Sequence, residues 1–124
     1  MVVEIESQVT RFLHSAAERR HLALWSRDGQ TVYARLSYED GVCNMVVTLD
    51  VRIPLRERAV RQLFRERGII PDSDWAGDHI RHLRYPLPDG NEVVAHLSAE
   101  LVKQVYGLVE QDELEYEYAE KDAV

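Results

Sequence analysis

Apolar positions along the chain change period several times, and the changes mark out its elements. Over residues 3–19, Ile5, Val9, Phe12, Leu13, Ala16 and Ala17 fall on one arc at about 100° per residue, with Glu6, Arg11, His14 and Glu18 opposite. This predicts a helix with one face on a core. Residues 21–27 read as a strand, and Asp28-Gly29 supplies a tight turn. Residues 31–38 alternate Val32, Ala34, Leu36 and Tyr38 against Tyr33, Arg35 and Ser37. Asp40-Gly41 is a second hairpin signal, and residues 42–50 give a third strand with Cys43, Met45, Val47 and Leu49 on one face. Three strands joined by two short turns predict an antiparallel meander.

Pro54 then stands at a favoured first helical position, and Gly68 closes the segment, which predicts a helix over 54–67. Leu55, Ala59, Val60, Leu63 and Phe64 cover nearly half its circumference, wider than the ~100° stripe of a typical surface helix. One face is expected on the sheet, with a surplus around Val60 and Phe64. Residues 69–79 read as a loop. Residues 80–87 and 92–97 read as a hairpin across Pro88-Asp89-Gly90-Asn91, and Ser98 as the N-cap of a last helix ending near Asp112. The remainder, 112–124, reads as an acidic tail, or through its Leu114-Tyr116-Tyr118 alternation as a short edge strand. The expected architecture is a single α+β domain over 1–111, in the order α-β-β-β-α-β-β-α, with an antiparallel sheet packed against helices.

Composition changes this picture little. With 124 residues, 45% hydrophobic and 30% charged, the chain fits one globular domain. No run approaches the roughly 20 apolar residues of a membrane span, and the N-terminus lacks the pattern of a signal peptide. The single cysteine, Cys43, excludes an internal disulfide and suits a reducing, cytoplasmic setting.

Charge is more informative. The net value of −7 disfavours non-specific attraction to nucleic acid or anionic membrane. Residues 52–67 nevertheless hold six Arg against two Glu, and residues 110–124 hold seven acidic residues against one Lys. Arg58, Arg61 and Arg65 share one face of the middle helix. An anion or nucleic-acid footprint is one reading of that face. A solvated face is the plainer one, because Glu57 sits four residues before Arg61 and no glycine-rich phosphate loop or aromatic base platform lies nearby.

Candidate chemistry is sparse. His79 and His82, with His96 on the next expected strand, are the obvious metal or acid–base candidates, but three-apart residues of a strand point to opposite faces. Neither a second cysteine nor HExxH completes a zinc set. Asp72, Asp74 and Asp78 imitate a calcium loop, which fails at Ala76 and Leu83. No nucleophile elbow, Walker loop or dinucleotide fingerprint occurs, so no enzyme and no cofactor is called for. Trp75 lies among acids in the loop, as core cover or as a binding anchor.

The element order over residues 3–111, with the length and acidic charge, resembles the small chaperones of type III secretion systems and the related YbjN-like proteins. The resemblance implies a homodimer without catalytic activity that holds an extended segment of another protein. Its dimer or partner interface would map to Leu55, Val60, Phe64 and Trp75. Trp25 and Tyr33 either line such a peptide-binding surface or are core on a two-sided sheet. The alternatives are a nucleic-acid-associated regulator using Arg58, Arg61 and Arg65, and a small metal- or ligand-dependent enzyme using His79, His82 or His96.

Overall fold

A computed structural model of the chain describes residues 1–88 and 91–121. The order of elements is α1 (Val2–His14), β1 (Arg19–Ser26), β2 (Val32–Glu39), β3 (Val42–Asp50), α2 (Pro54–Arg65), β4 (Ser73–Ala76), β5 (Ile80–Pro86), α3 (Asn91–Glu100), a π-helical turn (Leu101–Val105) and β6 (Leu114–Lys121). The strands form one antiparallel sheet in the order β4-β5-β3-β2-β1-β6. The expected α+β class therefore holds.

The meander forms where the turns dictate. Asp40 and Gly41 both take positive φ, 52° and 76°, as a two-residue hairpin requires. At the other turn the Asp28 carboxylate accepts hydrogen bonds from the Ser26 hydroxyl, 2.6 Å, and the Gln30 amide, 3.0 Å. Alternation then sends Leu22, Leu24, Ala34, Leu36, Met45, Val47 and Leu49 to one face, where all are buried with Leu83 and Tyr85 of β5. The helices cover that face. Ile5, Val9 and Phe12 of α1, and Val60, Leu63 and Phe64 of α2, complete the core. Phe64 stacks on Tyr85 with ring centroids 3.7 Å apart and planes 5° from parallel.

Several expected boundaries move, each for a local reason. The first helix stops at His14 rather than at residue 19, because Ser15 turns extended and the Arg20 guanidinium takes the carbonyls of Leu13 and Ser15. Part of the loop expected over 69–79 pairs with β5 as β4. Residues 92–97 are helix rather than strand. Val94, Ala95, Leu97, Ser98, Leu101 and Val102 are buried at helical spacing, and buried Ser98 donates to the Val94 carbonyl inside α3 instead of capping its start. The expected second hairpin is thus β4–β5. Asp89 and Gly90 of the turn once assigned to it lie outside the described residues. Finally, the acidic segment takes the second of its two readings. Residues 114–121 pair along the whole of β1 as edge strand β6, so the described part of 112–124 belongs to the sheet.

The buried Phe64–Tyr85 stack gives a direct test of this packing. Phe64→Ala should lower unfolding free energy by about 3–5 kcal/mol, measured by urea denaturation followed by circular dichroism. A loss below about 1 kcal/mol would contradict a core role for Phe64.

Candidate functional site

With all three helices on one side, the other face of the sheet is uncovered. One cross-strand row runs Ser73, Arg84, Val46, Arg35, Ala23 and Glu117 from edge to edge. A second runs Trp75, His82 and Thr48. Arg35 lies over the Trp25 ring, 5.5 Å from its centroid, and His21 meets Glu39 at 3.4 Å. Between them is a shallow depression of about 310 Å3 lined by His21, Ala23, Arg35, Val46 and Glu117 among others. The face is amphipathic: two tryptophans and small apolar residues are framed by charged side chains.

At the β4 end the face runs into an apolar corner. Trp75 stacks on His82 with centroids 4.9 Å apart, and His82 Nδ1 lies 3.0 Å from the Thr48 hydroxyl. The stack holds the indole in place while leaving it 46% exposed. Ile80 stands two residues before His82 on the same face, and Val51, Ile53 and Leu55 follow β3 into α2. All four are exposed, Leu55 at 70%. The two segments are joined by a hydrogen bond from the Val51 amide to the His79 carbonyl, 3.0 Å. The Asp50–Arg52 clamp shapes the β3–α2 connection, with Arg52 Nε and Nη2 at 2.9 and 2.7 Å from the Asp50 carboxylate.

The expected interface residues divide. Leu55 and Trp75 are both exposed, Trp75 in this corner and Leu55 on the side of α2 away from its buried residues. Val60 and Phe64 are fully buried in the chain's own core, so neither can meet a partner. The wide apolar arc of α2 is consumed internally, because the helix packs on the sheet and also on the turn after α3. Tyr33, a candidate for either a peptide surface or the core, takes the core reading, buried on the helical side against Tyr106 with ring centroids 4.7 Å apart.

The arginine face is also smaller than expected. Arg61 is bound by Asp74 at 2.9 Å and Glu57 at 3.4 Å, and Arg81 joins the same two carboxylates. Asp74 is held below the ordinary carboxylate range chiefly by its bond from Arg61. That leaves Arg58 and Arg65 exposed two turns apart. The histidines do not converge. His79 is at the β4–β5 tip beside Asp78, His82 is under Trp75, and His96 meets Glu100 at 2.7 Å among the helices. Among the described residues no cluster of three or more His, Cys, Asp or Glu is placed to hold a metal. Burial pushes the Cys43 thiol up to about 11, which keeps it protonated at neutral pH. No helix among the described residues is long and apolar enough to cross a membrane.

Val51, Ile53 and Ile80 were missed as site residues because each lies at the end of an element, where period gives no direction. The face of Trp25, Arg35 and His82 follows from strand alternation once the helical side is known.

The clamp predicts a pH dependence. The Arg52 guanidinium and amide lower the Asp50 carboxyl from 3.8 to about 2. A folded value below the unfolded one stabilises the fold above pH ~4, and the gain disappears as pH falls through ~2. Urea denaturation at successive pH values should show the wild-type advantage over Asp50→Asn closing across that window. A constant gap would refute the clamp. Comparison of the chain with protein-family models, curated proteins and solved structures returned no match.

Proposed function

We propose that this chain is a non-enzymatic, chaperone-like protein-binding module of the cytoplasm that works as a homodimer. The carrying observation is the exposure of Val51, Ile53, Trp75 and Ile80 at one corner, drawn from two segments tied together by a backbone hydrogen bond. Exposed apolar side chains scattered singly need no explanation, whereas a contiguous patch marks an interaction surface. A tryptophan held by stacking and left half in solvent suits a central anchor, since little rotamer freedom remains to be lost on binding. This surface replaces the one expected at Val60 and Phe64 and keeps Trp75. A symmetric pairing of the corner would present the same patch from both copies. The chaperone and YbjN-like reading of the element order agrees with this assignment.

Size-exclusion chromatography with light scattering should give a dimer of the full chain. Trp75→Asp combined with Ile80→Asp should give a monomer with an unchanged far-ultraviolet spectrum, the midpoint concentration for pairing rising by at least roughly 30-fold, as loss of an anchor residue costs. A wild-type monomer at every concentration, or a double variant that dimerises normally, would overturn the reading.

A further inference from the structure

The sheet has two edges of different character. β4 is four residues long, while β6 offers eight and, among the described residues, pairs with β1 on its inner side only. In an antiparallel strand alternate residues turn their N–H and C=O outward, so the outer side of β6 carries unpaired backbone groups along its length. Its side chains sort by face. Tyr116 and Tyr118 are half-buried on the helical side, where Arg11 lies 5.5 Å over the Tyr118 ring. Glu115 and Glu117 stand on the uncovered face, opposite Trp25 and Ala23 of β1.

The carboxylates around this edge are not equivalent. Glu113 is paired with Arg27 at 3.1 Å, and Glu120 accepts from the Ser15 and Tyr118 hydroxyls, both at 2.6 Å. Glu115 and Glu117 are exposed and carry no ion pair among the described residues. Two charges two residues apart lie about 7 Å from each other along the strand, the spacing of alternate side chains on an added strand.

Self-pairing conflicts with this charge pattern. Leu114–Lys121 contains three Glu and one Lys, so two copies edge to edge would bring six carboxylates against two ammonium groups. A register centred on Glu117 sets that residue opposite its own copy, and one centred on Tyr116 sets Glu115 against Glu117. The charges that discourage a second copy favour a strand of opposite sign.

We infer that the β6 edge binds an extended protein segment with Lys or Arg at alternate positions and apolar residues between them, added to the sheet as a seventh strand. Main-chain hydrogen bonds hold the segment, its cations meet Glu115 and Glu117, and its apolar residues lie beside Tyr116 and Tyr118. This names the class of client for the binding module. It rests on the protein-binding reading but not on self-association, because β6 and the Trp75 corner are at opposite edges of the sheet.

The test uses the full chain and a capped, fluorescently labelled peptide alternating Lys and Val, read by anisotropy, with an alternating Glu-Val peptide as control. The cationic peptide should bind, weaken as salt rises from about 50 to about 500 mM, and slow hydrogen exchange at the outward amides of β6. Charge reversal by Glu115→Lys with Glu117→Lys should cost at least roughly ten-fold for the Lys-Val peptide and favour the Glu-Val one. Glu117→Gln, a smaller change on the same exposed side chain, should give a partial loss and guards against misfolding of the double variant. No binding of the Lys-Val peptide, binding indifferent to both variants, or unchanged β6 exchange would each overturn the inference and leave the glutamates as protection against edge aggregation. Trp75→Asp with Ile80→Asp should retain peptide binding, so failure of dimerisation and failure of this edge are read separately.

Discussion

The one-sided packing of the sheet governs the rest of the molecule. Six strands bury their inward residues under three helices, and each fully buried Leu, Phe or Met contributes about 1.5–3 kcal/mol relative to exposure. In every strand but β4, alternate residues are thereby turned toward the core. The remaining positions must form a face that tolerates water while covering the small apolar residues between strands. Long side chains achieve this. Ala23 is only 7% exposed although it lies on the uncovered side, flanked in register by Arg35 and Glu117. The mixture of tryptophan, arginine and glutamate on that face is a consequence of the layer arrangement before it is a property of any partner.

Arg20 is where the helical layer is fastened to this sheet. It is 3% exposed, in the strand where alternation expects an apolar residue. Its guanidinium lies 3.9 Å over the Tyr38 ring and 5.6 Å from that of Phe12, and donates to the last carbonyls of α1. A buried cation without such partners would cost several kcal/mol. Here aromatic faces and helix-end carbonyls replace water, which is favourable because the C-terminal end of a helix is its negative end. The same contact ends α1 five residues earlier than the expected end at residue 19.

How far the sequence discloses this fold depends on how many signals agree at each place. The meander is legible because turn chemistry and alternation coincide at Asp28-Gly29 and Asp40-Gly41. Residues 92–97 are misleading because Val93-Val94 is β-branched, while the burial pattern that makes them helical runs on to Val102, past the point where a strand would end. β4 has almost no signature: Asp74 turns toward Arg61 on α2 and Trp75 toward the uncovered face, so its four residues contribute no core side chain. β6 was ambiguous because its alternation says strand and its charge says tail. Local pattern cannot reveal that β1 has a free side to receive it. For the site, Trp75 reads equally as core cover in the sequence and only the structure leaves it 46% exposed, whereas Val60 and Phe64 were misplaced because a wide apolar arc does not distinguish a partner from a second internal layer.

Among the described residues, the two positive-φ residues that are not glycine both lie in two-residue hairpin turns. Asp40 sits in the hairpin that its turn type demands. His79, at φ 58°, is the second residue of the two-residue loop Asp78-His79, closed by the bond from the Gly77 amide to the Ile80 carbonyl, 2.8 Å, and positive φ belongs to such a turn. The His79 carbonyl also accepts from the Val51 amide, joining the β4–β5 tip to the β3–α2 connection. Those are the two segments that carry the exposed Ile80, Val51 and Ile53. Folding of the core needs none of these side chains, since all remain in solvent. Turn chemistry accounts for the backbone at this tip, whereas exposed apolar side chains that fill no place in the core are better accounted for by what they contact than by what the fold requires.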